Sequence, residues 1–127
     1  MKPTVLIIED NEQNRYLLRY LLEQHGYGVE CASDGHSGLE LAQALDPALI
    51  LLDIQLPHMD GYAVARALRK HENLRATPII AVTSYAMPGD QDKALAAGCT
   101  GYIEKPIDPH TFVATMQKNL QPRQPGP

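Results

Sequence analysis

The chain lacks most of the features that would assign it at once to a familiar chemistry. No apolar run approaches the roughly 20 residues that a membrane helix needs, so no membrane span is expected. Only 2 cysteines occur, Cys31 and Cys99, too far apart for a paired-ligand motif, and reduced, buried thiols are expected rather than a disulfide. The basic residues are scattered, and 11 Lys and Arg against 15 Asp and Glu leave a net charge of -4. Phosphate-backbone contacts need clustered Lys and Arg, so direct DNA binding is not expected. No Walker or Rossmann glycine pattern follows the first strand, which argues against nucleotide binding. The histidines, His25, His36, His58, His71 and His110, form no i, i+4 pair and read as surface residues rather than zinc ligands. The run Gly35-His36-Ser37-Gly38 has the wrong spacing for a nucleophile elbow. Repeats, charge blocks and a signal-peptide pattern are missing too, and a cytoplasmic location is the expectation.

What is present suits one soluble α/β domain. A chain of 127 residues, 44% hydrophobic and 20% charged, can bury roughly two thirds of its unfolded surface and has no room for a second domain. Short apolar runs alternate with helical patterns. Val5 to Ile8 reads as a strand ending in Glu9-Asp10. Leu17, Leu18, Leu21 and Leu22 then recur with Asn14 on one face of a helix that Gly26 closes. Val29 to Ala32 is a second strand. Asp34 caps a helix whose Gly38, Leu41, Ala42 and Leu45 face inward, and Asp46-Pro47 ends it. Gly61, Val64, Ala65 and Leu68 mark a third helix, and Pro78 to Val82 a fourth strand ending in Thr83-Ser84. A weakly amphipathic helix is predicted over 88–97, closed by Gly98 and docked least firmly. Thr100 to Ile103 is the fifth strand, ending in Glu104-Lys105-Pro106. Asp108 is predicted to cap the last helix, with Pro109 in its first turn and Phe112, Val113, Met116 and Leu120 buried. The domain is expected to occupy 1–120. The segment 121–127, QPRQPGP, cannot be helical and reads as a Pro-rich tail or the stub of a linker.

The stretch ALILLDIQLPHMDG, residues 48–61, organises the rest. An unbroken apolar run cannot be half-solvated, so it suits the middle of a parallel sheet covered on both faces. Asp53 then sits at the carboxyl edge, where open parallel sheets bind their ligands. Alone, Asp53 would read as an acidic turn residue capping the next segment. The other strand ends decide the matter. Five strands alternating with five helices make a doubly wound sandwich, and right-handed crossovers favour the flavodoxin-like order 2-1-3-4-5. Strands one and three are then neighbours. Glu9, Asp10 and Asp53 meet at one edge, with Thr83 and Lys105 arriving beside them.

Three carboxylates brought together repel, and a divalent cation is the simplest compensator. All the offered ligands are oxygens, so Mg2+ is the expected ion. With Lys105 and the Thr83 hydroxyl, such an edge can bind the oxygens of a phosphoryl group, leaving Asp53 as the nucleophile. The alternative is an acidic edge that pairs internally with Lys105.

The run from 5 to 120 resembles a receiver domain of the two-component response regulators. The resemblance is carried by Glu9-Asp10, by Asp53 with Pro57 and Asp60-Gly61, by Thr83-Ser84, and by Gly101-Tyr102 leading to Lys105-Pro106. DIQLP, TSYAM and KALAAG look closest to the stand-alone receivers of cell-cycle and phosphorelay type. The resemblance implies that Asp53 takes a phosphoryl group from a phosphohistidine on a histidine kinase or a histidine phosphotransfer protein. It implies that Asp10 and Asp53 hold Mg2+ by side chains, Glu9 largely through water and Gln55 through its backbone carbonyl. Lys105 would bridge to the acidic pocket, with a cis bond to Pro106. Thr83 would swing in to the new phosphoryl group and Tyr102 turn inward behind it. The surface of the fourth helix, fifth strand and fifth helix would then change the downstream protein it binds, the chain being a monomer or weak dimer.

Gln55 and Tyr85, each two residues past a site residue, flank the path of an attacking water, and a bulky Tyr85 is expected to slow hydrolysis of the acyl phosphate. Two other classes stay open. An Mg2+-dependent aspartyl-phosphate phosphatase would carry a second acid where Gln55 stands. A non-phosphorylated interaction module would not need the full set of strand-end residues, all of which are present.

Overall fold

The computed structural model describes residues 2–84 and 87–120, with side chains through 118. Tyr85, the Leu120 side chain and the tail 121–127 lie outside the described residues, and so do the expectations attached to them. Five strands, β1 (Thr4–Ile8), β2 (Gly28–Ala32), β3 (Leu49–Asp53), β4 (Ile79–Thr83) and β5 (Gly101–Glu104), alternate with five helices. These are α1 (Glu12–Gln24), α2 (Gly35–Leu45), α3 (Gly61–Arg69), α4 (Asp90–Ala96) and α5 (Phe112–Leu120). The strands pair in parallel in the order β2-β1-β3-β4-β5, as the alternation predicts.

Side chains alternate across each strand, so a sheet covered on both faces needs two cores. Leu6, Ile8, Ile50, Leu52, Ile79 and Ala81 point to one side, where Ala42 of α2, Val64, Ala65 and Leu68 of α3 and Ala94 of α4 close over them. Val5, Ile7, Leu49, Leu51 and Ile80 point to the other, against Leu18, Leu21 and Leu22 of α1 and Phe112, Val113 and Met116 of α5. All five residues of β3 are buried, the unbroken burial that its apolar run requires. Each fully buried Leu or Ile contributes about 1.5–3 kcal/mol relative to exposure. These rows hold the strand ends in register.

Register then places the edge. Ile8 pairs with Leu52, so Glu9 and Asp53 are the next residues on adjacent strands. Asp53 pairs with Val82 and Thr83 with Glu104, so Thr83 and Lys105 each stand one step further along. Gly61 permits the turn back into α3. A Cβ there would lie 2.5 Å from Ile54 Cα and 2.9 Å from the Asp53 carbonyl oxygen, both backbone atoms with nowhere to go.

Several local expectations need correction. The helix α4 starts at Asp90 rather than residue 88, because Gly89 lies in the left-handed region at φ 89°. Leu95, on α4, is 52% exposed, in keeping with its weak apolar stripe. Regular helix in α5 begins at Phe112, three residues past Pro109, because the Asp108 carbonyl is shared between Thr111 N at 3.2 Å and Phe112 N at 2.9 Å. Asp108 still caps this entry turn, accepting from His110 N at 2.9 Å. Asp46 ends α2 in the left-handed conformation instead of the extended one usual before proline. Both cysteines are free, but Cys31 is only half-buried, at the sheet edge under Arg19. His71 is half-buried rather than a plain surface residue and shares a hydrogen bond with Gln43. A 3-10 turn, Glu72–Leu74, showed no periodicity in the sequence because three residues are too few to carry one.

Candidate functional site

Glu9 and Asp53 are carboxylates only 2% and 4% exposed, while Asp10 beside them is exposed. Burying two such groups costs several kcal/mol unless partners replace the lost water. Lys105 is the main partner. Its Nζ lies 2.7 Å from Glu9 Oε1 and 3.3 Å from Asp53 Oδ2, so strand-end residues from β1, β3 and β5 meet at one ammonium. The bond from Lys105 to Pro106 is cis.

One ammonium does not balance the site. Glu9, Asp10 and Asp53 each offer a carboxylate oxygen, all within 4.8 Å of one another. Burial first, and then the adjacent Asp53 carboxylate, push the Glu9 carboxyl above its usual range, and Lys105 offsets this only in part. For Lys105 burial acts downward, but the hydrogen bond to Glu9 and the charge of Asp53 outweigh it and raise the ammonium pKa. The unspent negative charge and all-oxygen donor set fit a hard divalent cation such as Mg2+.

The first turn of α1 also contributes to the pocket. Arg15 Nη1 donates to the carbonyls of Glu9 and Asp10, each at 2.8 Å. Asn14 Nδ2 donates to Glu9 Oε1 at 3.0 Å. Glu9 Oε1 is thus held by Asn14 and Lys105 together, whereas Oε2 takes a long contact from Asn11 N at 3.4 Å. Neither Asn14 nor Arg15 stands at a strand end, so the alternation of strands and helices does not mark them as site residues. Their signal is spacing: residues four and five past an acidic pair, at the start of the next helix, can reach back to it.

On the opposite side Gln55 N donates to Asp53 Oδ1 at 2.9 Å. The Gln55 side chain does what the sequence did not suggest. Its Nε2 donates to Thr83 Oγ1, and its Oε1 accepts from Ser84 N at 3.0 Å. Thr83 is buried at the end of β4. Tyr102 is half-buried against the α3 and α4 side, and its hydroxyl is buried with no hydrogen-bond partner among the described residues. An unpaired buried hydroxyl costs about 1–3 kcal/mol.

Glu9, Asp10, Asp53, Gln55, Thr83 and Lys105 therefore share one cleft, while Tyr102 lies toward the α4 side. Comparison with known proteins places the sequence and the fold. The sequence matches the response regulator receiver domain over residues 5–117. It is 43% identical over 120 residues to the polar-differentiation response regulator DivK of Brucella ovis, covering 94% of this chain and 98% of that protein. Among solved structures, the chemotaxis protein CheY4 of Vibrio cholerae is similar at a TM-score of 0.89 and 31% identity, covering 93% of this chain and 98% of that one. The receiver domain of a sensor histidine kinase from Pseudomonas aeruginosa, solved with a magnesium ion coordinated in its active site cleft, matches at a TM-score of 0.85 and 33% identity, over 94% of this chain and 98% of that one.

Proposed function

The chain belongs to the response regulator receiver domain family of two-component signalling, and from that membership we propose that Asp53 takes a phosphoryl group from a phosphohistidine. The donor is a histidine kinase or a histidine phosphotransfer protein. The observation that carries this reading is the buried Asp53 carboxylate, held by Lys105 at 3.3 Å on one side and left beside the acidic pair on the other.

In the proposed step an Asp53 oxygen attacks phosphorus as the P–N bond to the donor imidazole breaks. The electron pair goes to the imidazole nitrogen, which takes a proton from solvent. Bound Mg2+, held by the Asp10 and Asp53 side chains, by Glu9 through water and by the Gln55 backbone carbonyl, would supply the charge neutralisation that phosphoryl oxygens need. Lys105 turns from Glu9 and Asp53 toward the arriving oxygens, and the Thr83 hydroxyl donates to one of them. The adduct adds roughly -1.5 to -2 charge units at the end of β3. The end of β4 is the element this charge biases, with Tyr102 as the packed group behind it.

The output surface is proposed on α4, β5 and α5, where Leu95 is 52% and Met87, just before α4, 65% exposed. Exposed apolar residues beside a switching strand suit a protein partner better than nucleic acid. Residues 1–120 form the receiver unit, a cytoplasmic monomer or weak dimer that phosphorylates and dephosphorylates only itself. Tyr85 is assigned a slowing effect on hydrolysis from sequence alone; an unchanged dephosphorylation rate in Tyr85→Ala would remove that assignment.

Incubation with Mg2+ and acetyl phosphate, followed by intact-mass measurement, tests the central step. A stoichiometric phosphoryl adduct that disappears in Asp53→Asn is expected. Rapid acetyl phosphate turnover without an adduct would favour a phosphatase instead, and no reaction an interaction module.

A further inference from the structure

β3 and β4 are paired along the sheet, and the Gln55 carboxamide adds a side-chain link between them just beyond the last paired residues. Gln55 follows β3 and is tied to Asp53 through its own N–H, 2.9 Å from Oδ1. Its side chain crosses to the end of β4, donating to Thr83 Oγ1 and accepting from Ser84 N–H at 3.0 Å. A carboxamide can do both because it carries donor and acceptor on neighbouring atoms; an ammonium or an apolar side chain in its place could not.

Thr83, the last residue of β4, and Ser84, which follows it, each hydrogen-bond the Gln55 carboxamide, one through its hydroxyl and the other through its N–H. Both point at one neutral side chain. We propose that Gln55 is a positioning residue that acts through Thr83 and Ser84: its carboxamide latches the end of β4 in the resting protein, in the place a phosphoryl group would take. The proposal rests on the reading of Asp53 as phosphoacceptor. Ser84 has a single N–H, so a phosphoryl oxygen gains it only by displacing Gln55 Oε1. Thr83 cannot swing toward Asp53 without breaking its bond to Gln55 Nε2. The exchange favours phosphorylation once the adduct forms, since hydrogen bonds to an ionised acceptor are roughly twice as strong as neutral ones. It also opposes weak or transient occupancy, because both bonds must open before either is replaced. The latch therefore sets how firmly phosphorylation must bind before the end of β4 is released.

Two variants and two measurements test this. Gln55→Met keeps the side-chain length and removes both hydrogen bonds; Gln55→Ala removes the bonds and opens space. In the protein without Mg2+ or donor, amide hydrogen exchange at Ser84 is expected to quicken by about fivefold in Gln55→Met, the effect of one hydrogen bond of ordinary net strength. With Mg2+ present, the apparent Kd for beryllofluoride, a phosphoryl mimic, is expected to fall in both variants by about five- to thirtyfold, the effect of one to two such bonds. Unchanged Ser84 exchange, or a gain in affinity seen with Gln55→Ala and not with Gln55→Met, overturns the latch, because space rather than hydrogen bonding would then be responsible. Beryllofluoride binding by the wild type that Gln55→Met leaves unaltered also overturns the latch alone. Failure of the wild type to bind beryllofluoride at all would overturn the phosphoacceptor reading, and the role of the latch with it.

Discussion

Lys105 Nζ lies 2.7 Å from Glu9 Oε1, a contact between residues 96 positions apart that ties β5 to β1 across the strands between them. The Lys105 side chain is 14% exposed and that of Glu9 3%, so neither charge can fall back on water. Removing Lys105 by Lys105→Met is expected to cost about 3–5 kcal/mol, since it strands two buried carboxylates. Urea denaturation of the metal-free protein measures this, and a loss under about 1 kcal/mol would contradict it.

The pH dependence of that pair follows from two raised values. A carboxyl raised on folding, as burial does to Glu9, stabilises the fold while protonated. Its contribution is complete below the ordinary value of 4.5 and drains away as pH climbs through the folded value. The Lys105 contribution is complete below 10.5 and is lost as pH rises past its own raised value. Thermal melts in EDTA should therefore show stability falling in one step above pH 4.5 and another above 10.5. Glu9→Gln should abolish the first step and raise the Tm at pH 7, while weakening the response of Tm to added Mg2+.

Arg15 holds two carbonyls of the acidic turn with one nitrogen, so Arg15→Ala leaves both seeking new partners. A loss of about 1–3 kcal/mol is expected, the range for a hydrogen bond from a charged donor at a partly exposed site. Because the same carbonyls fix the backbone that carries Glu9 and Asp10, Mg2+ affinity by titration calorimetry should fall as well. Unaltered affinity would show that the acidic turn holds its shape without Arg15.

Gly61→Ala places a methyl group against the Ile54 backbone, and backbone cannot rotate aside as a side chain can. The start of α3 must shift, at a cost of about 1–3 kcal/mol. Since that shift moves the loop after Asp53, the rate of phosphorylation by acetyl phosphate should drop together with stability. A variant that melts earlier yet phosphorylates at the normal rate would separate the turn from the site.

Burial pushes the Cys99 thiol from 9.0 up to about 11, despite the nearby Arg69. Two pH units remove roughly a hundredfold of the reactive thiolate at neutral pH. Iodoacetamide at pH 8 should therefore modify half-buried Cys31 and leave Cys99 intact until the protein unfolds, which peptide mapping would show.

The fold was legible because its signals are collective. Five apolar runs and five helical stripes point to one topology, and register carries Asp53 to Glu9 with no further information. The missed features are single side chains whose partners lie across the fold. The Gln55 carboxamide and the Arg15 guanidinium follow no periodicity, and what each one holds depends on where a neighbouring strand happens to end. Helix boundaries were misplaced where one backbone group decides, as at Gly89 and at the shared carbonyl of Asp108.

Glu9, Asp53, Thr83 and Lys105 come from four strand ends spread over most of the chain, and each stands at or just beyond the last paired residues. No fragment shorter than residues 9–105 contains all four. A chain that lacks β5 lacks with it Lys105, the ammonium that holds Glu9 and Asp53. On the proposed role of Asp53, a phosphoryl adduct there doubles as a report that β5 has already joined the sheet.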